Sequence, residues 1–282
     1  MGGALALALA ACGQSVDRLI YRRRGRIASL AEQISPRPEL ISIDKVKGVD
    51  SEVLIIATQD EQIAEVSSRL VDRFTGKAVF HTSGSMSSAV LAAFAQKGKE
   101  VASLHPLASI TKWSDGLDRF RGAYFCLEGT EKAIRIGKRL VNALGGRSFV
   151  VSSTDKGLYH AAAVTAAGHV TALFDVAVSI MVKSGLSRAD ARKVLWPLLH
   201  GVAANLEKQD TPAALTGTYS RGELGTVRRH LEAVNRSASQ NEFDIYLNLA
   251  LRSIDLSEAA GLDHALAQKM RKTLGMAKAS RR

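Results

Sequence analysis

The sequence predicts an α/β unit built on an open parallel sheet, followed by an all-α unit. Three observations carry this. Through the first half, short apolar segments alternate with helical segments of about ten to fifteen residues, the pattern of successive βαβ units. Within Ser51 to Ala57 the apolar residues run without a break, as in a strand covered on both faces. From about Lys156 onward no strand pattern persists, and apolar residues recur at helical spacing. The expected domains are residues 1–153 and 154–282.

The chain opens Met1-Gly2-Gly3-Ala4 and runs straight into a small apolar helix, Ala4 to Ala11, closed by Cys12-Gly13. Asp17 to Tyr21 is a short strand candidate, and Arg22-Arg23-Arg24 follows it. In a dinucleotide-binding fold a Gly-rich turn joins the first strand to a helix whose N-terminus faces the pyrophosphate. Basic residues after the second strand accept the 2′-phosphate of NADP. Helix, second strand and arginines are here in that order, so the reading is a Rossmann-type NADP-binding domain. Gly2 and Gly3 are its expected pyrophosphate contacts, and Arg22 and Arg23 its phosphate anchors. The first strand and the first two glycines of the loop are missing from this pattern. The expectation is therefore that the start is placed too late: the 282-residue form binds NADP poorly, and an upstream-extended form binds it well.

A rival reading of the same stretch is a bacterial lipoprotein signal, since Leu9-Ala10-Ala11-Cys12 has the small-residue-then-Cys form. Export requires a positively charged start, and no Lys or Arg precedes Arg18. The run is also too short for a bilayer, which takes about 20 residues. No membrane association is expected.

Composition agrees with a globular protein, at 46% hydrophobic and 23% charged residues. Two cysteines, Cys12 and Cys126, lack metal-type spacing, so neither a disulfide framework nor a metal site is indicated, and a reducing cytoplasm is expected. The net charge of +11 raises nucleic-acid binding. The excess is dispersed, however, over Arg22 to Arg26, Lys138-Arg139, Arg228-Arg229 and the tail Lys278 to Arg282, and aromatics are only 5%. Nucleic acid is not the expected partner.

After the arginines, Gly25 to Ile34 has helical spacing and Ser35-Pro36-Arg37-Pro38 breaks it. Leu40 to Ile43 is a strand, Ser51 to Ala57 contains the buried one, and Glu61 to Phe74 is an amphipathic helix. Lys77 to His81 is the next strand, Ser87 to Lys97 a helix, Glu100 to Leu104 a strand ending in His105-Pro106, and Tyr124 to Leu127 a further strand. Ligands of such sheets sit beyond the carboxyl ends of the strands. The polar residues there are Thr58, Asp60, His81, Ser83 and His105. Thr58, Asp60, His81 and Ser83 are candidate cofactor contacts, although Asp60 can equally cap the helix beginning at Glu61.

In the second half, Thr130 to Leu144 is a helix ended by Gly145-Gly146, and Ser148 to Ser152 is a short strand. Leu158 to Lys183 reads as one long helix, apolar nearly all round, which implies a central or subunit-interface position. Ser187 is a plausible cap for the helix to Asn205, and Pro197 is expected to kink it. Thr216 to Glu223 is a polar glycine-containing loop, a site-lining element or a plain connection. Leu224 to Val234 and Glu242 to Ser253 resume the helical pattern.

The combination of His81-Thr82-Ser83-Gly84-Ser85, Ser103-Leu104-His105-Pro106-Leu107, Leu127-Glu128-Gly129, Lys156 with Tyr159-His160-Ala161-Ala162-Ala163-Val164, Leu215-Thr216-Gly217, Arg221-Gly222-Glu223 and Thr226 with His230-Leu231 resembles a known family. These are Rossmann-type proteins with a helical C-terminal domain of unknown function, allied to pyrroline-5-carboxylate reductase and ketopantoate reductase. The resemblance covers essentially the whole chain. It implies an N-terminal dinucleotide domain, a helical domain forming a homodimer, and a cleft between the domains. Three departures stand out. Only the last fingerprint glycine survives, as Gly2. Thr218 and Arg221-Gly222-Glu223 replace the family's proline and Arg-Gly-Asp, and Ala167-Gly168 replaces its Ser-Asn.

A reductase of C=O or C=N needs a proton donor near the accepting atom, and a histidine or lysine can serve. His105, Lys156 and His160 are the candidates, with a structural role for His160 equally open. Arg221 suits a substrate carboxylate, and Thr216, Thr226 and His230 are further substrate candidates. The expected activity is NADP-dependent reduction of a small carboxylate-bearing substrate. The alternative is a non-catalytic nucleotide-binding or regulatory dimer.

Overall fold

The computed structural model describes residues 1–25 and 27–281; Arg26 of the basic cluster and Arg282 of the tail lie outside them. It divides into two compact units, residues 1–167 and 168–282.

The first unit opens with helix α1 (Gly2–Ala11). Its Ala and Leu residues leave no polar face, so it is a core helix: Ala4, Leu5, Ala8 and Leu9 are buried against Phe80, Leu104, Phe125 and Leu127 of the sheet. The stretch that resembles a lipoprotein signal is thus part of this core. Strand β1 (Arg18–Tyr21) pairs in parallel with β2 (Glu39–Ser42), and α2 (Ile27–Ala31) lies between them in sequence. A second sheet has the order β3 (Val53–Ile56), β4 (Ala78–His81), β5 (Glu100–Pro106), β6 (Tyr124–Gly129) and β7 (Arg147–Val150). Helices α3 (Asp60–Leu70) and α4 (Ala92–Gln96) make the crossovers from β3 to β4 and from β4 to β5, which are parallel. One side of the sheet packs on α1, α5 (Gly116–Phe120) and α6 (Glu131–Ala143). The other packs on α3 and α4 through Ile63, Val66, Leu70 and Phe94.

Two expectations are corrected here. The sheet is not wholly parallel, because β6 runs antiparallel to β5, with His105 opposite Cys126. An apolar run records burial, whereas direction is set by how the chain between 107 and 123 returns. The long helix after residue 156 is also not uniform: α7 (Lys156–Val164) and α8 (Val170–Val182) are joined by a π-helical turn at Thr165–His169.

The second unit continues α8 into α9 (Arg188–Lys208), which Ser187 caps and which runs on through Pro197. Then come α10 (Thr211–Ala214), α11 (Leu224–Ser237), α12 (Gln240–Ala259) and α13 (His264–Ser280). The last three bury one face each around Val227, Leu231, Phe243, Leu247, Ile254 and Met270. Ser239 and Glu242 form a capping box that fixes the start of α12. A hydrogen bond from Lys183, and next the Ser239 backbone N–H, hold the Glu242 carboxyl down at about 2.

Candidate functional site

The C-terminal ends of β4 and β5 converge on one polar cluster in the first unit. His81, the last residue of β4, is fully buried. Its Nδ1 accepts the Ser83 backbone N–H at 3.2 Å, and its Nε2 faces the Ser87 carbonyl at 3.2 Å. Both ring nitrogens therefore hold the turn between β4 and the helical segment after it. Burial pushes this imidazole down to about 4, so it is neutral at pH 7.

Asp60 is the first residue of α3, and Gln59 occupies the cap position without a side-chain bond, so the capping reading of Asp60 is corrected. The Asp60 carboxylate instead accepts from the Ser83 and Ser85 hydroxyls at 2.7 and 2.8 Å, clamping the Ser83-Gly84-Ser85 loop. Gly84 is needed there for space: a Cβ would fall 2.9 Å from the His105 ring and overlap His160. The two imidazoles meet edge to face, with centroids 5.6 Å apart.

Helix α7 supplies the rest. Lys156, Tyr159 and His160 are spaced i, i+3 and i+4, which puts them on one helical face. Lys156 is 1% exposed; its Nζ donates to Ser103 Oγ at 2.8 Å and to the Ser83 carbonyl at 3.2 Å. Burial lowers its pKa, and among the described residues it forms no ion pair. The Tyr159 hydroxyl lies 2.6 Å from His105 Nδ1. Burial raises both Tyr159 and Cys126, and it pushes His105 down to about 4, with the Lys156 charge adding to that effect. At neutral pH His105 is an uncharged ring beside a protonated phenol. Behind them Glu128, buried at the end of β6, accepts from the Ser88 backbone N–H at 2.6 Å and its hydroxyl at 2.8 Å.

The sequence-predicted residues His81, Ser83, Asp60, His105, Lys156 and His160 thus form one cluster. Reading the sequence missed the roles of Ser103, Tyr159, Cys126 and Glu128. Tyr159 was within reach, since helical spacing puts it beside Lys156; the β5–β6 register that brings Cys126 opposite His105 was not.

The predicted cofactor contacts lie at α1 and at the ends of β1 and β3. Gly2 starts α1 against β3, where a Cβ would fall 2.8 Å from that of Ala57. A Gly3 Cβ would meet Leu30 and Trp113 at 3.2 and 3.4 Å. The Thr58 hydroxyl, just beyond β3, is buried without a hydrogen-bond partner. Arg22 and Arg23 follow β1 and are exposed, and Arg22 reaches Glu65 at 3.9 Å.

The predicted substrate residues belong to the second unit. Thr216 and Arg221 are exposed, and Arg221 Nε donates to Glu223 at 2.6 Å. Thr226 accepts from Arg229 at 2.7 Å, and His230 Nδ1 lies 3.1 Å from the Tyr246 hydroxyl, itself 3.0 Å from that of Tyr219. Among the described residues, no group of His, Cys, Asp and Glu is arranged to hold a metal ion.

Two family models match the chain: a Rossmann-like domain over residues 1–106, and a domain of unknown function, DUF2520, over residues 123–253. No curated protein matches the sequence. Among solved structures, a Thermotoga maritima protein is 23% identical with a TM-score of 0.69, the alignment covering 100% of this chain and 98% of that one. A provisionally assigned NADP oxidoreductase from Bacteroides fragilis is 20% identical at a TM-score of 0.68, covering 89% and 93%. The pyrroline carboxylate reductase of Plasmodium falciparum, solved with NADP bound, is 13% identical at 0.56, covering 97% and 94%. At these identities the likeness establishes the fold.

Proposed function

We propose that this chain, in which a Rossmann-like domain is joined to a DUF2520 domain, is an NADP-dependent reductase of a small carboxylate-bearing C=O or C=N substrate. The observation that carries the reading is the cluster of His105, Tyr159 and Lys156 around Gly84, at the carboxyl ends of β4 and β5. That is where ligands sit on open α/β sheets. The structural neighbours named as an NADP oxidoreductase and as pyrroline carboxylate reductases agree with it.

The residues at α1 fit a dinucleotide. Gly2 and Gly3 leave the helix N-terminus bare of side chains, so its amides would hold the pyrophosphate. The unpartnered Thr58 hydroxyl lies close by, and Arg22 and Arg23 would hold the 2′-phosphate, which favours NADP over NAD. When bound, the reduced nicotinamide supplies the hydride.

The chain's own residues supply a proton and charge. Tyr159 Oη carries a proton that burial keeps in place, and His105 Nδ1 accepts the hydrogen bond that orients it. Lys156 Nζ, its pKa lowered by burial, is fixed beside the pair by Ser103 and Ser83, where as an ammonium it would stabilise developing negative charge. His160 packs on His105 and sets its ring plane, while Asp60 holds the loop that carries Gly84. Arg221 remains the candidate for a substrate carboxylate on its chemistry.

The expected partner is a second copy of the chain. Residues 153–182 form a helical run long and apolar enough to cross a membrane, and Leu173 and Val182 on it are exposed. Trp196 and Leu198 on α9 are 58% and 66% exposed. Burying such residues against a symmetric copy removes them from water.

The test is titration of purified protein with NADPH and NADH, then NADPH oxidation across 2-keto acids and cyclic imines. Tighter NADPH binding with turnover of one class supports the reading. Binding without turnover on any of them leaves the non-catalytic nucleotide-binding dimer, and binding of neither nucleotide refutes both.

A further inference from the structure

Resting on the reductase reading above, we infer that the group reduced beside His105 and Tyr159 is a carbonyl, C=O, and not a protonated imine. The two classes ask opposite things of a protein. A protonated imine is a cation before hydride arrives and a neutral amine afterwards, so it needs a carboxylate near its nitrogen. A carbonyl starts neutral and becomes an alkoxide, so it needs hydrogen-bond donors around its oxygen.

The carboxylates of the cluster are committed elsewhere. One face of the β5–β6 ladder carries two cross-strand pairs, Ser103 opposite Glu128 and His105 opposite Cys126. Glu128 is 5% exposed, and its two oxygens are taken by the Ser88 backbone N–H and hydroxyl. Asp60 Oδ2 receives both loop hydroxyls, Ser83 and Ser85, which offset much of that group's charge. Lys156 Nζ is bonded to Ser103 and the Ser83 carbonyl instead of to either acid. Burial raises the Cys126 thiol and lowers the His81 ring, so both are neutral at pH 7, and both His81 nitrogens are spent on backbone. His160 packs edge to face on His105 and adds no anion.

The donors, by contrast, are not all spent. Tyr159 Oη and His105 Nδ1 share one hydrogen bond. With the phenol donating, the neutral ring carries its hydrogen on Nε2, which has no partner among the described residues. With the ring donating from Nδ1, the phenol hydrogen is the free one. Either tautomer leaves one hydrogen for a ligand acceptor. Gly84 brings bare backbone to the same place: its Cβ would fall 2.9 Å from His105 Nε2, and its N–H is also unbonded among the described residues. As an ammonium, Lys156 adds a third N–H to the two it gives Ser103 and Ser83. In the reaction a reduced nicotinamide gives hydride to the carbonyl carbon, a C–H bond forms, and the C=O π pair moves to oxygen. That oxygen takes the free hydrogen of the pair as a proton. The nicotinamide is oxidised by two electrons and the carbonyl becomes an alcohol. With the ring as relay, the phenol proton passes to Nδ1, and water later restores it. The phenolate left meanwhile has Lys156 Nζ 5.4 Å from its ring centre.

The experiment uses the whole chain and has a binding arm and a turnover arm. Calorimetry at neutral pH, with and without NADPH, compares oxamate with free proline. Oxamate is an unreactive mimic of a 2-keto acid, and the proline ammonium mimics a protonated cyclic imine. Oxamate is expected to bind about tenfold more tightly or better. The double variant His105→Leu, Tyr159→Phe removes the free hydrogen in either tautomer and is expected to bring that ratio below about threefold. Thermal unfolding reports whether this variant is folded, and where it is not, the wild-type ratio decides. In the turnover arm kcat/KM is expected to favour 2-keto acids over cyclic imines by about 100-fold. Tighter binding of proline, equal binding of the two probes, or faster reduction of a cyclic imine overturns the carbonyl assignment and leaves the reductase reading standing. Turnover of neither class, or no binding of NADPH, overturns both.

Discussion

The Tyr159 hydroxyl lies 2.6 Å from Nδ1 of His105, joining the face of α7 to the end of β5 within one unit. Burial keeps the phenol protonated and the imidazole neutral, so the contact is a hydrogen bond between two uncharged groups rather than an ion pair. Tyr159→Phe keeps the edge-to-face packing against His105 and Phe149 while removing the proton. It is expected to leave the melting temperature nearly unchanged and to lower NADPH-dependent turnover by about 100-fold. Steady-state kinetics alongside thermal unfolding check this; wild-type turnover would exclude the phenol from proton delivery.

Lys156 is a buried amine with hydroxyl and carbonyl partners and, among the described residues, no carboxylate within ion-pair distance. Replacing a buried charge by an apolar chain of similar length is often neutral or stabilising. Lys156→Met is therefore expected to match or exceed the wild type in denaturant resistance while losing turnover by about 100-fold or more. A loss of stability together with intact turnover would mean that the ammonium serves the fold alone.

The two depressed histidines give the fold a defined acid response. His81 and His105 both titrate at about 4 in the folded state, against 6.5 for an ordinary histidine. Between those values the unfolded chain binds more protons, so stability rises with pH. Their contribution is complete above about pH 6.5 and is lost as pH falls toward 4, on the order of 3 kcal/mol for each. Urea unfolding at pH 7 and pH 4.5 is expected to show a lower midpoint at the acid value. His81→Gln should reduce that difference, and an unchanged slope in this variant would assign the acid response elsewhere.

Trp196 stacks edge to face on Phe174, with centroids 6.5 Å apart, yet more than half of it is exposed in the single chain. Trp196→Lys with Leu198→Lys is expected to convert a dimer to a monomer without unfolding α11 to α13, whose core lies elsewhere. Light scattering with size exclusion reads the mass directly. A wild-type monomer would remove the dimer proposal.

Much of the candidate site was legible because strand ends and helix spacing are local properties. His81 and His105 close apolar strands, and Lys156, Tyr159 and His160 recur at i, i+3 and i+4, so their places follow from periodicity alone. The residues that were missed depend on contacts between distant segments. Ser103 looks like an ordinary strand serine until Lys156, 53 positions later, donates to it. Asp60 was legible as a site residue, with capping of α3 an equal reading, and only the packing of the 83–85 loop shows what the carboxylate holds. The antiparallel β6 was illegible for a similar reason: burial pattern is the same for either direction.

By itself the sequence determined that a Rossmann-type sheet precedes a helical unit, because strand and helix periods are properties of local hydrophobic patterning. The tertiary structure decided that β6 runs antiparallel to β5 and that the Tyr159 hydroxyl meets His105 Nδ1 beside a buried Lys156. These are outcomes of packing, because strand direction and protonation state are set by what lies next to a residue in space.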